Sequence, residues 1–386
     1  MTSTPVLPAL DPSPVALRWR PEFPIFERTT YLNTCSLGAL SRRARARVNE
    51  HLDLWEAMGA SAWYEIWWAA LADLRAGYAR VIGAAPHEIA LQPNANAALT
   101  MVAEALDYGT RRRIVTTALD FPTIPYQWLS KPGVEVVVLE PADGVRVLPE
   151  QFADEVDDRT ALVITSHVYF TTGALQDAAA LATIAHRHGA LCFIDGYQAA
   201  GQVPVDVHAL GVDFYCGGGL KWLMGGTGTA FLYVREGLHR QLAPTTAGWF
   251  GHKEQFRFDP RDWTPHDDAR RFEGGTNALP SVYLQLGGLE VLEQVGIPEA
   301  RRVTMELAED LIARAEEAGL RPRVAPTPAE RTGIVMLPSD DPRRDVARLA
   351  ERGYVVDARP GHVRVSPFFY NLPDDHRGLL EALRDR

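Results

Sequence analysis

The segment "ALCFIDGYQAAGQVPVDVHALGVDFYCGGGLKWLMGGTGTAFLYV", residues 190–234, holds three short apolar runs, "ALCFID" (190–195), "VDFYCG" (212–217) and "TAFLYV" (229–234). Continuous apolar runs of this length, bounded by glycine or aspartate, read as strands covered on both faces. The first two are separated by enough chain for one helix. Strand, helix and strand in that order form the unit of a parallel sheet. Lys221 follows the second run among glycines. It is one of only three lysines, with Lys131 and Lys253, in a chain whose other cations are arginines.

Working outward, four more runs precede this segment: "EIALQ" (88–92), "RIVTTA" (113–118), "VEVVVLE" (134–140) and "ALVITSHV" (161–168). Helix-like pieces such as "DAAALATIAHRHG" lie between them. The pattern predicts an α/β fold with a mostly parallel seven-stranded sheet and ligands bound at the carboxyl ends of its strands. Residues 42–82 read as helices, with Trp55, Trp63, Trp67 and Trp68 mostly in the core and one or two at a pocket. Residues 280–318 read as a long helical connection. Beyond 333, "GIVMLP", "VVDA" and "VRVSP" predict a small sheet closed by a C-terminal helix. The expected organisation is a proline-rich extended arm (1–30), a large α/β domain (31–280) and a small C-terminal α/β domain (281–386).

The chain has 386 residues, enough for two cores, and a net charge of −10 with its arginines scattered among acids, so nothing points to a nucleic-acid partner. The three cysteines, Cys35, Cys192 and Cys216, form no disulfide framework and no CxxC pair. Cys192 and Cys216 sit in apolar runs as small hydrophobes. The N-terminal stretch lacks the basic and apolar regions of a signal peptide, and no apolar run reaches the length of about 18 residues of a membrane span. A cytoplasmic enzyme is expected, with no membrane partner and no metal.

A lysine amine is a nucleophile only when neutral, and burial lowers its pKa. Taken alone, Lys221 also fits a solvated loop. Asp195 ends a buried strand, where an unpaired carboxylate is costly, so it needs a cationic partner or a role as a helix N-cap. The protonated pyridine nitrogen of pyridoxal 5'-phosphate (PLP) is such a partner. One helix and one strand separate Asp195 from Lys221, so both emerge at the same sheet edge. In "LQPNANAAL" (91–99) a strand passes into a helix near Asn94, which suits either a phosphate or a simple Asn cap.

Together these pieces resemble the class V aminotransferase superfamily of fold-type I PLP enzymes, from about residue 31 to about residue 375. The resemblance implies that Lys221 carries PLP as an internal aldimine and that Asp195, in a D-x-x-Q pattern, pairs with the ring nitrogen. It implies that Gln198 bonds the phenolic oxygen, and that Ala95 and Asn96 bind the phosphate. Within the superfamily, "YLNTCSLGALS" (31–41), "LDFPTIPY" (119–126), "TTG" after "HVYF" (167–173), "GWFGH" (248–252) and "DARRFEGGT" (268–276) are similar to kynureninase segments. They imply that Phe121 stacks on the cofactor, that Trp249 lies near the substrate, and that Thr276 reaches the phosphate of a neighbouring subunit in a homodimer. "VRVSPFFYN" (363–371) places Arg364 where the family grips the substrate α-carboxylate, a task suited to a guanidinium fork.

Some positions depart from the pattern. Leu220 stands where kynureninases have a phosphate-binding tyrosine, Gly218 where related enzymes have a serine, Asn96 where the family has a threonine and Cys35 where it has an asparagine. Gln198 replaces the kynureninase histidine, and no histidine lies in residues 57–63. Residues 320–364 contain no cysteine, which argues against persulfide-forming desulfurase chemistry. Cys35 could still lie at the mouth of the site. The implied activity is that of a PLP enzyme acting on a free amino acid through an external aldimine and an α-carbanion, cleaving at the β-carbon as a kynureninase-like hydrolase or lyase. The alternatives are a class V aminotransferase, an isopenicillin-N-epimerase-like enzyme, or a non-catalytic protein on the same fold.

Overall fold

The computed structural model describes residues 9–384. Its strands, in chain order, are β1 (Thr30–Tyr31), β2 (Ile89–Gln92), β3 (Arg113–Thr117), β4 (Glu135–Leu139), β5 (Thr160–Ser166), β6 (Leu191–Asp195), β7 (Phe214–Gly218), β8 (Ala230–Val234), β9 (Val335–Pro338), β10 (Tyr354–Val355), β11 (Asp357–Arg359) and β12 (His362–Val365). The seven runs expected as strands form one sheet in the order β2-β8-β7-β6-β5-β3-β4. Only β8 runs against its neighbours.

Alternation along the central strands feeds two cores. Cys192 and Ile194 of β6 face one apolar cluster while Phe193 faces the other, and on β7 Tyr215 is separated in the same way from Phe214 and Cys216. Both faces are therefore dry, which is why the runs read as unbroken apolar segments rather than alternating ones. Each large side chain buried this way contributes about 1.5–3 kcal/mol of transfer free energy.

Of the arm expected over residues 1–30, residues 1–8 lie outside the described residues, and residues 14–27 form helical turns rather than an extended chain. Ser13 caps a helix over Pro14–Trp19, and tight turns follow at Arg20–Glu22 and Pro24–Glu27. Prolines stand at the first positions of these turns, where a missing N–H costs nothing. Arg20 pairs with Asp375, and the Phe23 ring packs 4.5 Å from that of Tyr370, so the segment is bound to the C-terminal part. The helical connection is two helices, Leu279–Val295 and Ile297–Glu317, broken at Gly296 with φ +82°.

Strands β9, β12 and β11 make a three-stranded antiparallel sheet. One face, with Val335, Leu337, Val363 and Val365, forms a separate core with the helices Ile297–Glu317, Pro342–Glu351 and Pro373–Arg384. Leu32 joins that core, β1 pairs with β10, and Asn33 bridges Ser366. The segment expected to open the large domain is thus hydrogen-bonded to the C-terminal strands. That contact brings the 31–41 segment over the carboxyl edge of the large sheet.

Candidate active site

Parallel strands end together, and the residues just beyond their carboxyl ends form one wall of a 610 Å³ cavity. Asn94, Ala95 and Asn96 follow β2; Phe121 and Thr123 follow β3; Ser166, Val168 and Phe170 end or follow β5; Asp195, Tyr197 and Gln198 end or follow β6; Leu220 and Lys221 follow β7. Because β6 and β7 pair with Asp195 opposite Cys216, the aspartate and the lysine loop leave the sheet side by side. This is the juxtaposition expected from their spacing.

Lys221 Nζ lies 5.3 Å from the Tyr197 ring centroid and 6.0 Å from that of Phe121. Burial lowers its pKa to about 8, against the opposing pull of Asp195. Asp195 is 7% exposed, and burial raises its pKa; the Tyr197 amide and Lys221 act in the other direction. Its Oδ1 accepts from Tyr197 N at 2.8 Å and from Cys216 Sγ at 3.6 Å, while Oδ2 accepts no hydrogen bond among the described residues.

Asn94 caps the helix Ala95–Ala105 by accepting from Ala97 N, and the amides of Ala95 and Asn96 in that first turn have no partner in the helix. Gln198 donates to the Cys35 carbonyl at 3.0 Å and accepts from Trp222 Nε1 at 2.8 Å, which leaves one amide hydrogen. Cys35 is buried and lines the cavity.

The glycines before Lys221 are required by close packing. A Cβ on Gly218 would meet the Tyr197 ring at 2.5–2.7 Å, and one on Gly219 would meet Gln285 Oε1 at 2.1 Å. From the opposite side Gly38 closes on the same loop: its N donates to the Leu220 carbonyl at 2.9 Å, and a Cβ there would lie 2.2 Å from the Lys221 carbonyl oxygen and 2.9 Å from Met224 Cα. Those neighbours are backbone atoms and cannot swing aside. Gly38→Ala is therefore expected to cost about 1–3 kcal/mol, as overpacking does. It should also displace the Lys221 loop, so that a lower thermal midpoint is accompanied by weaker PLP retention. A melting curve and the PLP content after dialysis check both.

Another wall comes from the small sheet. In "DARPGHVRV" (357–365), β11 and β12 are joined by a Pro360–Gly361 turn with Gly361 at φ +71°. Asp357 pairs directly with Arg364, and Ala358 with Val363. Strand alternation then puts Asp357, Arg359 and Arg364 on one face, toward the cavity, and Val363 and Val365 in the core. Arg364 is 1% exposed; it donates to the Phe170 carbonyl at 3.0 Å, Ser36 Oγ at 2.6 Å and Asp357 Oδ2 at 2.9 Å. Sequence reasoning found Arg364 but missed Asp357, Arg359, Tyr197 and Thr123, although the alternation of charged and apolar residues in 357–365 carries the signal for the first two.

Two expected site residues lie elsewhere. Trp249 and Thr276 line a separate hollow with Trp63, Trp68 and Phe256. Of the four tryptophans in 55–68, Trp67 is core, Trp63 and Trp68 line this hollow, and Trp55 is exposed.

The Lys221 cavity fits PLP. It offers an amine of lowered pKa for the aldehyde, an oxygen of the buried Asp195 carboxylate that has no donor among the described residues for the ring nitrogen, and a helix N-terminus with free amides for the phosphate. The Aminotransferase class-V family model matches residues 46–373. The chain is 32% identical over 369 residues to the uncharacterized aminotransferase YcbU of Bacillus subtilis, covering 95% of this chain and 96% of that one. It is 30% identical over 369 residues to the kynureninase of Pseudomonas fluorescens, covering 91% and 87%. The solved complex of the cystine C-S lyase C-DES with cysteine persulfide shares the fold, with a TM-score of 0.87 at 24% identity over 94% of this chain and 99% of that one. The chain belongs to the class V aminotransferase family, and it is a PLP-dependent enzyme of fold type I. The non-catalytic alternative is set aside. No helix among the described residues is long and apolar enough to cross a membrane.

Proposed function

We propose that the protein acts on a free α-amino acid in the Lys221 cavity and cleaves it at the β-carbon, as a kynureninase-like hydrolase or lyase. The observation that carries this reading is the convergence of Lys221, Asp195 and the arginine-bearing hairpin on one 610 Å³ cavity. Bound PLP supplies an electron sink for the bond broken at the α-carbon. Lys221 Nζ, with its lowered pKa, is suited to take and return the α-proton near neutrality. Asp195 Oδ2 holds the proton on the ring nitrogen, and the Ala95 and Asn96 amides hold the phosphate. Phe121 covers the ring, Gln198 offers its remaining N–H, and Arg364 anchors the substrate carboxylate. The aromatic rings of Phe170 and Tyr197 suit an apolar side chain.

A homodimer with shared sites is part of this proposal. Tyr64, Trp249, Phe256 and Phe258 are exposed around the hollow that holds Thr276, an aromatic patch of the kind that a second copy covers. A cytoplasmic location agrees with three unpaired, buried cysteines.

Transamination is the second reading, supported by the YcbU relative and by Leu220 in place of the kynureninase tyrosine. The test is a panel of L-amino acids, including L-kynurenine and β-substituted alanines, incubated with holoenzyme. Cleavage releases alanine with anthranilate from kynurenine, or pyruvate and ammonia from a β-substituted alanine. Accumulation of the pyridoxamine form, reversed by a keto acid, would replace cleavage by transamination. Loss of chirality alone would point to epimerisation.

A further inference from the structure

Five charged residues line the Lys221 cavity: Asp195, Lys221, Asp357, Arg359 and Arg364. The proposed function commits the first two to the cofactor. What remains is two guanidiniums and one carboxylate, all on one face of the β11–β12 hairpin. Asp357 Oδ2 accepts from Ser36 Oγ and from Arg364 Nη2, each at 2.9 Å, and forms an ion pair with Arg359 Nη1 at 2.8 Å. One carboxylate oxygen thus ties both arginines together.

The two arginines are not equivalent. Arg364 is enclosed, with both Nη atoms engaged. The Arg359 side chain is 25% exposed, and its Nη1 is used by Asp357 and the Ala358 carbonyl. Its Nε and Nη2 have no partner among the described residues, and that edge of a guanidinium matches a carboxylate with two parallel hydrogen bonds.

We propose that Arg359 completes the substrate carboxylate site beside Arg364, and that Asp357 is its standing counter-ion, which tunes the cavity to amino acids with one carboxylate and an uncharged side chain. This rests on the amino-acid reading of the cavity given above. Two cations and one anion leave a single net positive charge on this wall, which one carboxylate neutralises. A second carboxylate would meet no unused cation in the cavity and would face Asp357 across a partly dry space, where like charges repel strongly. The remaining side-chain walls, Phe121, Phe170, Tyr197 and Val168, offer it no charge.

The test uses carboxylates that lack an amino group, so that binding is read without turnover. Propionate and succinate are titrated into holoenzyme at low ionic strength, and affinity is read from the shift in thermal midpoint. Wild-type protein is expected to bind propionate roughly ten-fold or more tightly than succinate. Asp357→Asn should reduce that ratio by about ten-fold, since it removes one negative charge at the site. Asp357→Glu should restore much of it, which separates charge from misfolding. Arg359→Gln should weaken propionate binding. An unchanged ratio in Asp357→Asn, or a wild-type preference for succinate, overturns the proposal while leaving the PLP reading intact. Failure of both carboxylates to bind a holoenzyme with an intact Lys221–PLP absorbance band would overturn the amino-acid reading of the cavity, and this proposal with it.

Discussion

Lys221→Ala is expected to reduce turnover of any amino acid by about 10²–10⁴-fold or more, the range associated with loss of a positioned general base, to which loss of the covalent anchor is added. Lys221→Arg should be as inactive, although it keeps a positive charge. A guanidinium stays protonated at any pH the fold tolerates, so it neither adds to an aldehyde nor accepts a proton. The pH dependence gives a sharper test than the loss itself. Only the neutral amine captures the cofactor, and burial brings its pKa from 10.5 down to about 8. At pH 7 roughly one molecule in ten then carries the reactive form, far more than for a solvated lysine. The rate at which apoprotein takes up PLP should rise nearly ten-fold per unit of pH below 8 and level off above it. Stopped-flow absorbance of apoprotein mixed with PLP measures this. A rate still climbing at pH 10 would mean that the amine is solvated and the cavity is not the cofactor site.

The seven-stranded sheet was legible because its central strands are dry on both faces, so that "ALCFID" and "VDFYCG" stand out without any knowledge of their neighbours. Lys221 and Asp195 were legible for a related reason: a charged residue at the end of such a run must have a partner. The errors lie where the cause is remote in sequence. The proline-rich residues 1–30 suggested an extended arm, but Pro14, Pro21 and Pro24 stand at the first or second position of helical turns that the C-terminal Tyr370 and Asp375 hold in place. The alternation in 357–365 marks Asp357 and Arg359 as lying on one face, but not which face or what it meets. Their meaning appears only when the turn at Pro360–Gly361 sets Asp357 opposite Arg364. Trp249 and Thr276 carry family-like motifs and face a hollow apart from Lys221.

Asp195→Asn should have opposite effects on activity and on apoprotein stability. The amide is nearly isosteric, and its oxygen can keep the hydrogen bonds from Tyr197 N and Cys216 that now fix Oδ1. It cannot stabilise a proton on a ring nitrogen, so turnover should fall by about 10²–10⁴-fold through lost charge stabilisation. Stability of the apoprotein moves the other way. Burial raises the Asp195 pKa above its ordinary 3.8, so the folded state holds that proton more tightly than the unfolded chain does. Stability is therefore lost as pH rises from about the unfolded value through the raised folded one, and the full penalty is in force at neutrality. Removing the carboxylate lifts that penalty, so apo Asp195→Asn should melt at or above the wild-type temperature at pH 7 and lose this advantage toward pH 3. With PLP bound the order should reverse, because the wild-type carboxylate then gains a direct cationic partner in the ring nitrogen, where the apoprotein offers only the more weakly coupled Lys221 amine. Paired melting curves with and without PLP at the two pH values decide the matter. A variant less stable than wild type in the apo state and equally stabilised by PLP would show that Asp195 serves the fold alone, as a cap at the end of β6, and has no part in holding the cofactor cationic.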